Sequence, residues 1–376
     1  MEQAYLGRIE VKAMRIAQIA PLQIAVPPLD YGGTERCISN ITEALVELGH
    51  DVTLFATADS RTNGRLVPMR DKPIRFDQSV DATAAHVAML RQVYQQASLF
   101  DVIHSHLDYL TLPFAVASAT PTVITLHGRL DIPDIETTLR TFRECNYVSI
   151  SDSQRSAIPD LNWVSTVHHA IDLRRFPRYD AAGSYLAFVG RLTPEKGPDR
   201  AIRIAKRVGI PLKIAAKLDP TQERYFHDVL EPMMEDPLIE FVGPLGERDK
   251  CDLMGHAKAL LMPISWPEPF GMVFIESLAC GTPVLTCPHG SVSELLRDGV
   301  TGYIRESDDE LVEAIGQIDR ISRAGCREYV RQKFDIRDMA LEYVNVYSMI
   351  QQRRRLFTLP AGAPTGASAD LTAADA

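Results

Sequence analysis

Two glutamates, eight positions apart in a loop that opens a helix, are the residues of this chain best suited to binding hydroxyl groups. The segment 265–276 reads Ser-Trp-Pro-Glu-Pro-Phe-Gly-Met-Val-Phe-Ile-Glu and carries its carboxylates at Glu268 and Glu276. Carboxylate oxygens accept hydrogen bonds and suit the vicinal hydroxyls of a ribose or a hexose. The first helical turn leaves backbone N–H groups unpaired, so those of residues 270–273 are free for a ligand. The alternative, one exposed and one capping carboxylate, is less favoured in this context.

A second loop, residues 190–197, brings two cationic side chains to the end of a predicted strand. It reads Gly-Arg-Leu-Thr-Pro-Glu-Lys-Gly and places Arg191 and Lys196 on either side of a proline, ahead of a helix. A guanidinium and an ammonium that converge beside a helix N-terminus suit a diphosphate. The alternative is that both are solvated surface charges. Because the two cations occur together with a glycine at the end of a strand, we favour the interpretation that they bind a diphosphate. The loop is not a Walker loop, because the G-x-x-x-x-G-K-[ST] pattern is missing.

Two weaker signals lie in the first half of the chain. Gly32 and Gly33 precede a predicted helix, where glycine lets the backbone approach an anion, although a simple turn explains them equally well. His127 follows a predicted strand and is suited to a sugar hydroxyl or to charge that develops in a transition state. A core or capping role is the usual alternative for a lone histidine, and it is favoured for His104 and His106.

The elements that must position these residues alternate between strand and helix from residue 14 onward, which is typical of βα units around a parallel sheet. Apolar runs predict strands at residues 15–20, 51–56, 102–104, 123–126, 147–150, 164–167, 185–189, 212–215, 239–242, 260–262 and 284–285. Apolar stripes at helical spacing predict helices over residues 34–48, 199–208 and 339–357. A polar gap at residues 178–184 predicts a linker, after which the pattern starts again.

The chain therefore predicts an α/β protein of two Rossmann-like, doubly wound domains. Ligands of such sheets bind beyond the carboxyl ends of the strands, so we expect the site in a central cleft between the domains. The predicted parts are an N-terminal extension at 1–13, a first domain at 14–180, a second domain at 181–340, a C-terminal helix at 341–357 and a disordered tail at 358–376.

Length and composition narrow the class of protein. The 376 residues are enough for two domains, and a formal net charge of −9 argues against a dedicated nucleic-acid binder. The six cysteines show no C-x-x-C pair and predict reduced, buried thiols in a cytoplasmic protein. No apolar run is long enough to predict a transmembrane helix, and no basic amphipathic helix predicts membrane-surface binding.

These motifs together resemble the family 4 glycosyltransferases of the GT-B fold, over roughly residues 14–357. The most specific segments are P-E-P-F-G-x-x-x-x-E-S-L-A-C-G-T-P-V and V-G-R-L-x-x-E-K-G; the two glycines, His127 and the V-G-P-L segment at 242–245 agree in order. One turn departs from the family. Residues 168–172 read His-His-Ala-Ile-Asp where many members have Asn-Gly-Ile-Asp, so we leave this turn out of the predicted site.

The resemblance implies a retaining hexosyltransferase that uses a nucleotide diphosphate sugar, with UDP-glucose favoured, and an unidentified small-molecule, lipid or glycan acceptor. It also implies that residues 14–180 form the acceptor-side domain, that residues 181–340 form the nucleotide-sugar-binding domain, and that the last helix crosses back to the N-terminal domain. It implies no cofactor and no metal, and the chain has no D-x-D motif. The predicted catalytic residues are His127, Arg191, Lys196 and Glu268. The predicted residues that bind the donor are Gly32, Gly33, Arg191, Lys196, Leu245, Glu268, Phe270, Gly271, Met272, Val273 and Glu276.

Within that resemblance, Arg191 and Lys196 would hold the diphosphate, Glu276 the ribose, and the backbone near Leu245 the base. No carboxylate in the motifs is a compelling covalent nucleophile, so we expect a front-face reaction. Other classes remain as alternatives. A dinucleotide-dependent oxidoreductase needs G-x-G-x-x-G, which the Gly32–Gly33 loop does not supply. A sugar phosphorylase of similar fold needs a Schiff-base lysine, and a non-catalytic sugar-nucleotide binder would bind donor without transfer.

Overall fold

The computed structural model describes residues 12–29, 32–75, 77, 79–218 and 220–358. The predicted N-terminal extension, except for its last two residues, and the predicted tail, from residue 359, lie outside the described residues.

The first half of the described chain builds a parallel sheet. Its strands are β1 (Arg15–Ile19), β2 (Asp51–Thr57), β3 (Arg65–Arg70), β4 (Val102–Ser105), β5 (Thr122–Thr125), β6 (Asn146–Ser149) and β7 (Trp163–Thr166). Their order in space is β3-β2-β1-β4-β5-β6-β7, and every neighbouring pair is parallel. The strand order therefore reverses between β1 and β4, where such a sheet opens a crevice for ligands.

The second half repeats this plan. Its strands are β8 (Leu186–Val189), β9 (Leu212–Ala215), β10 (Ile239–Gly243), β11 (Ala259–Met262), β12 (Val284–Thr286) and β13 (Gly302–Ile304). Their order is β10-β9-β8-β11-β12-β13, again all parallel, and the reversal falls between β8 and β11. The described residues thus confirm the predicted α/β class with two doubly wound sheets.

Helices connect the strands of both sheets. In the first half they are α1 (Gly33–Glu47), α2 (Ala82–Gln95), α3 (Leu112–Ala117), α4 (Pro133–Thr141) and α5 (Asp152–Ser156). In the second half they are α6 (Pro198–Val208), α7 (Glu223–Tyr225), α8 (Glu231–Met234), α9 (Glu247–Gly255), α10 (Met272–Ala279), α11 (Val292–Leu295), α12 (Asp308–Ile315), α13 (Arg323–Lys333) and α14 (Ile336–Thr358). A π-helical segment, Phe226–Leu230, joins α7 to α8.

The two helices that follow the glycine-bearing loops form as their apolar stripes predict. On α1, Ile38, Ile41 and Leu45 are fully buried, and the helix ends just before Gly49. On α6, Ile202 and Ala205 are fully buried; the helix also starts at a proline, which suits a first helical position. Burial of one stripe therefore fixes each helix against its sheet and aims its N-terminus at the carboxyl edge of the strands.

Sequence patterning did not predict two edge strands, β3 and β13. Strand β3 reads Arg-Leu-Val-Pro-Met-Arg and is only half buried, and its proline is tolerated because an edge strand pairs on one side alone. Strand β13 has three residues and begins at a glycine. Both strands lack the continuous apolar run of a central parallel strand, which is buried on two faces.

The last helix crosses back to the first sheet, as we predicted. The backbone N–H of Ile171 donates to the carbonyl of Phe334 at 3.0 Å, just before α14 begins. From there α14 packs on α1, and its Tyr343 and Tyr347 are fully buried against the first sheet. The helix begins at Ile336, earlier than the predicted helix start at residue 339, and its first turn buries Ile336.

Candidate functional site

The two charged loops predicted from the sequence follow β8 and β11, the neighbouring strands at which the order of the second sheet reverses. The loop after β8 carries Arg191 and Lys196, and the loop after β11 carries Glu268. The backbone N–H of Ser265 donates to the carbonyl of Glu195 at 2.9 Å and fastens one loop to the other. The fold therefore brings these predicted side chains to one edge of the sheet.

Lys196 and Glu268 form an ion pair at this edge. The Lys196 ammonium donates to Glu268 Oε2, and the side chains retain only 13% and 9% of their exposure. Trp266 Nε1 donates to the same oxygen at 3.0 Å, and the ammonium lies 4.6 Å from the centre of the Trp266 ring. Both contacts use Oε2, so Oε1 of Glu268 is left to accept from a bound hydroxyl.

Arg191 adds a second cation beside the same indole. Its guanidinium carbon lies 5.9 Å from the centre of the Trp266 ring, and the side chain is 42% exposed. Its guanidinium is 3.6 Å from the carboxylate of Glu195, an exposed contact worth little energy. Arg191 therefore keeps most of its donors for a ligand.

The charge state of Lys196 follows from its surroundings. Burial lowers the pKa of the ammonium, and the Glu268 carboxylate opposes that shift. One of the three ammonium hydrogens is used by Glu268, and the other two can reach an anion. The glutamate thus holds the lysine in position without exhausting its donors.

Glu276 lies one turn into α10 and is buried. Its Oε2 accepts from the ammonium of Lys250, on α9, at 2.7 Å. Helix α10 starts at Met272, and the N–H of Phe274 donates to the carbonyl of Gly271, the residue before the helix, at 3.0 Å. The N–H groups of Met272 and Val273 therefore have no partner within the helix.

The start of α1 reaches across the cleft to the start of α10. The Sγ of Cys37 lies 3.6 Å from the Sδ of Met272. An added Cβ at Gly32 would lie closer than 3.0 Å to the side chain of Ile24, whereas one at Gly33 would meet nothing within 4 Å. Gly32 thus packs closely on Ile24, and Gly33 is the glycine that borders open space.

Leu245, predicted near the base, is half buried just before a charged contact between the two halves. Glu247, the first residue of α9, forms an ion pair with Arg36 at 2.9 Å and accepts from Arg175 at 2.6 Å, both through Oε2. Burial lowers the pKa of Arg36, while Glu247 and Glu276 oppose that shift. Arg36 therefore links the start of α1 to the region of Leu245.

His127 lies at the carboxyl edge of the first sheet, and the ring of His169 connects it to Phe270 in the second half of the chain. It stacks on His169 with ring centres 5.2 Å apart and planes 16° apart, and His169 lies 4.9 Å from Phe270. Burial lowers the pKa of His127 to about 4. His169 belongs to the turn at residues 168–172, which we left out of the predicted site because it lacks the Asn-Gly of the family. This turn thus supplies a ring between His127 and the loop after β11.

Glu294, on α11, fastens the two halves together. Its carboxylate accepts from the backbone N–H groups of Asp152 and Ser153, each at 2.8 Å, and from His168 Nε2 at 3.1 Å. Beside it, Ser151 Oγ donates to the carbonyl of Pro269 at 2.7 Å. A carboxylate of the second half therefore caps the start of α5 in the first half.

Neutralising this carboxylate should lower stability in a pH-dependent way. Burial raises the pKa of Glu294, but the hydrogen bonds from His168 and the two backbone groups outweigh it, so the pKa lies below the ordinary 4.5. A depressed pKa stabilises the fold above the unfolded value, and that contribution is lost as the pH falls through the folded value. We expect Glu294→Gln to lower the melting temperature at pH 7, and the difference from wild type to shrink below about pH 4.5.

The matched control is Glu313→Gln, which neutralises an exposed glutamate on α12. It should leave the melting temperature unchanged at both pH values. A Glu294→Gln protein as stable as wild type at pH 7 would contradict the assigned contact.

Sequence analysis missed several side chains that complete this site. Trp266 stood in the glutamate motif without a role, yet it contacts Lys196, Arg191 and Glu268. His106 was assigned a structural role, yet its Nδ1 lies 2.8 Å from His127 Nε2. The spacing of His104 and His106, two apart at a strand end, puts both rings on one face and was the available signal.

The fold and this edge of cations and carboxylates define a GT-B glycosyltransferase. Residues 31–184 match the family model for Glycosyltransferase Family 4, and residues 174–333 match the model for Glycosyl transferases group 1. Together the two models span residues 31–333. The chain belongs to the family 4 glycosyltransferases, which confirms the predicted family and its enzymatic class.

Named relatives agree with this family. A glycogen synthase from Mycobacterium tuberculosis is 28% identical over 333 residues, covering 73% of this chain and 79% of the relative. A D-inositol 3-phosphate glycosyltransferase from Acidothermus cellulolyticus is 28% identical, covering 84% of this chain and 85% of the relative. HepE from Anabaena, solved in complex with UDP and glucose, superposes with a TM-score of 0.72 at 17% identity over 89% of this chain and all of HepE, which shows the shared fold.

Among the described residues, no helix is both long and apolar enough to span a bilayer. The same residues contain no cluster of three or more histidine, cysteine, aspartate or glutamate side chains arranged to hold a metal ion.

Proposed function

We propose that this glycosyltransferase moves a hexose from a nucleotide diphosphate sugar, with UDP-glucose as the favoured donor, to a hydroxyl acceptor. The observation that carries the proposal is the arrangement of Arg191 and Lys196 around Trp266, with Glu268 beside them. Two cations that share one platform suit a diphosphate, and the free oxygen of the adjacent carboxylate suits a sugar hydroxyl. The acceptor enters from the side of Gly33 and His127.

Departure of the nucleoside diphosphate is the step that these cations assist. The bond between the anomeric carbon and the phosphate oxygen breaks, and its electron pair leaves with the diphosphate. Arg191, Lys196 and the free N–H groups at the start of α10 stabilise the negative charge that develops there. The Glu268 ion pair holds Lys196 in place beforehand, so little reorganisation accompanies the reaction.

Retention at the anomeric carbon is part of the proposal, by a front-face route. The acceptor oxygen bonds to the carbon on the face that the phosphate leaves, and its proton passes to a departing phosphate oxygen. The two carboxylates of the motif are each ion-paired through one oxygen, Glu268 with Lys196 and Glu276 with Lys250, and we assign the other oxygen of each to a hydroxyl, which disfavours either as a covalent nucleophile. Capture of a glycosyl group on any side chain would contradict this route.

The donor is supported by one structural neighbour, because HepE is a complex with UDP and glucose. A thermal-shift screen of nucleotide sugars, each with and without EDTA, tests base, sugar and metal dependence together. We expect UDP-glucose to raise the melting temperature by mass action, equally in both conditions. A larger shift with another nucleotide sugar would identify that sugar as the donor in place of UDP-glucose. A shift that EDTA abolishes would overturn the proposed metal independence.

Removing the Glu276 carboxylate should weaken donor binding rather than slow the bound reaction. We propose that its free oxygen accepts from the ribose, a contact that ground state and transition state share. Glu276→Ala should therefore raise the donor KM by about tenfold or more, with kcat little changed.

The control is Glu240→Ala, which removes an exposed carboxylate paired with Lys213 on β9. It should leave both constants unchanged. A Glu276→Ala enzyme with normal KM and reduced kcat would assign Glu276 to the chemical step instead.

A further inference from the structure

Two arginines of α13 bind the backbone of residues 173–180, the segment that leads from the first half of the chain into the second. Arg323 and Arg327 are four positions apart on α13, so their side chains lie on the same face of the helix. The backbone carbonyls that they bind are those of Leu173 at 3.1 Å and Phe176 at 2.8 Å, from Arg327, and Tyr179 at 2.9 Å, from Arg323. The segment is therefore held at every third residue.

The same two guanidinium groups also bind the second half. Arg327 donates to the carbonyl of Ala279, the last residue of α10, at 2.5 Å, and Arg323 donates to that of Gly255, the last residue of α9, at 2.5 Å. The carbonyls at a helix C-terminus carry partial negative charge, which favours a cation there. Since α10 begins at the proposed donor site, the arginines tie residues 173–180 to an element that lines this site.

Tyr179 gives the segment a further attachment to α9. Its hydroxyl donates to the carboxylate of Asp252, and its ring lies against Gly255, where an added Cβ would come closer than 3.0 Å to the ring atoms. Its backbone N–H donates to the carbonyl of Cys280 at 3.3 Å. The end of the segment is thus packed and hydrogen-bonded on the second half.

The contact of the segment with α1, in the first half, is weaker. Arg174 pairs with Glu47 of α1 at 3.0 Å, but the two side chains are 68% and 57% exposed. Exposed ion pairs contribute little to stability. By contrast, a guanidinium holds its five N–H donors in a fixed plane and can bind several carbonyls at once.

The chain crosses between the halves at two places, and these two crossings lie side by side. Just before the segment, the N–H of Ile171 donates to the carbonyl of Phe334 at 3.0 Å. Ile171 also pairs with Asp335 in a parallel β-bridge, directly before α14 returns to the first sheet. Hinges between domains are usually a few residues at the ends of such elements.

We propose that Arg323 and Arg327 form a clamp that makes residues 173–180 part of the second half. The two halves then turn about the paired crossings, residues 171–172 and 334–335, while the clamped segment itself does not bend. The proposal does not depend on the identity of the donor. It bears on the reaction because the candidate site takes side chains from both halves, so their relative position must be controlled.

Distances between pairs of spin labels test this assignment in the full chain without any ligand. Label sites are Arg178→Cys in the clamped segment, Asp309→Cys on α12 and Asp160→Cys between α5 and β7, all at exposed side chains. The native cysteines are buried and should label slowly. We expect a narrow distance distribution for the pair 178/309 and a broader one for 178/160, because only the second pair spans the crossings. Equal widths, whether broad or narrow, would overturn the proposal.

Replacing Arg327 should release the segment. Arg327→Met keeps an apolar stem and removes every donor, so the 178/309 distribution should broaden. In the unlabelled protein, trypsin should cut after Arg174, Arg175 or Arg178 at least about tenfold faster than in wild type, because cleavage requires local opening of the backbone. Mass spectrometry of the first fragments distinguishes this local release from global unfolding, which would expose sites throughout the chain.

A second variant and a matched control complete the test. Arg327→Lys keeps the charge but lacks the planar fork, so its cleavage rate should lie between those of wild type and Arg327→Met. Arg331→Met removes an arginine one turn further along α13, where it pairs with Glu328 and is 62% exposed, and it should behave as wild type. Wild-type resistance to trypsin in Arg327→Met, or equally fast cleavage in Arg331→Met, would overturn the clamp.

Discussion

Lys196→Ala and Arg191→Ala should each lower kcat by roughly 10²–10³-fold, the cost of about 3–4 kcal/mol of lost charge stabilisation in a transition state. Both side chains contact the Trp266 ring at the edge where we propose that the diphosphate departs. Since the charge on the leaving group grows during the reaction, each cation contributes more in the transition state than in the donor complex. The defect should therefore fall on kcat more than on the donor KM.

The two variants should differ in melting temperature, which distinguishes a loss of folding stability from a loss of turnover. Lys196→Ala leaves the buried carboxylate of Glu268 without its ion partner and should lower the melting temperature. Arg191 is 42% exposed and paired only weakly with Glu195, so its removal should leave the melting temperature nearly unchanged. Stopped assays under donor saturation, with melting curves alongside, measure both effects.

Helix α6 supplies matched controls for these substitutions. Lys206 and Arg203 carry the same charges as Lys196 and Arg191 but lie on the exposed side of α6. Lys206 pairs with Asp236, and Arg203 pairs with Asp199. Lys206→Ala and Arg203→Ala should retain wild-type kcat. Normal turnover in both Lys196→Ala and Arg191→Ala would remove the diphosphate assignment from this loop.

Sequence patterning predicted the central strands because each is a short apolar run, buried on both faces of a parallel sheet. Strand β8, for example, buries all four of its residues. The same reasoning failed at β3, where charged residues flank a proline on a half-buried edge. Local composition thus identifies the strands that lie inside a sheet and overlooks those held in place by one neighbour.

The site divides in the same way. Glu268 and Lys196 were predictable because each is a charged residue beside a strand end and a helix start, which are local features of the sequence. The bond between Gln18 and His104 was not, because the residues are 86 positions apart and meet only through the register of β1 against β4. Contacts that depend on the pairing of distant strands leave no mark in local spacing.

Gly290→Ala should be the most damaging single-methyl change near the site. Gly290 has φ +66°, and an added Cβ would lie closer than 3.0 Å to the backbone N and O of Glu268. The next residue, Ser291, donates from its backbone to the Glu268 carbonyl at 2.9 Å, so the turn and the glutamate loop cannot separate without losing that bond. We expect a loss of more than about 3 kcal/mol of stability and strongly reduced activity, as Glu268 is pushed from Lys196.

Gly209→Ala isolates the clash from the backbone strain. Gly209 has the same φ of +66°, but an added Cβ there meets nothing within 4 Å. It should therefore show only the cost of a left-handed alanine, about 1–2 kcal/mol, with full activity in the folded protein. Melting curves and assays well below both transitions compare the two. The backbone penalty is common to both variants, so the extra loss of stability in Gly290→Ala measures the cost of the steric clash with Glu268. Equal stability and activity of the two variants would mean that the glutamate loop moves to relieve the clash at no cost.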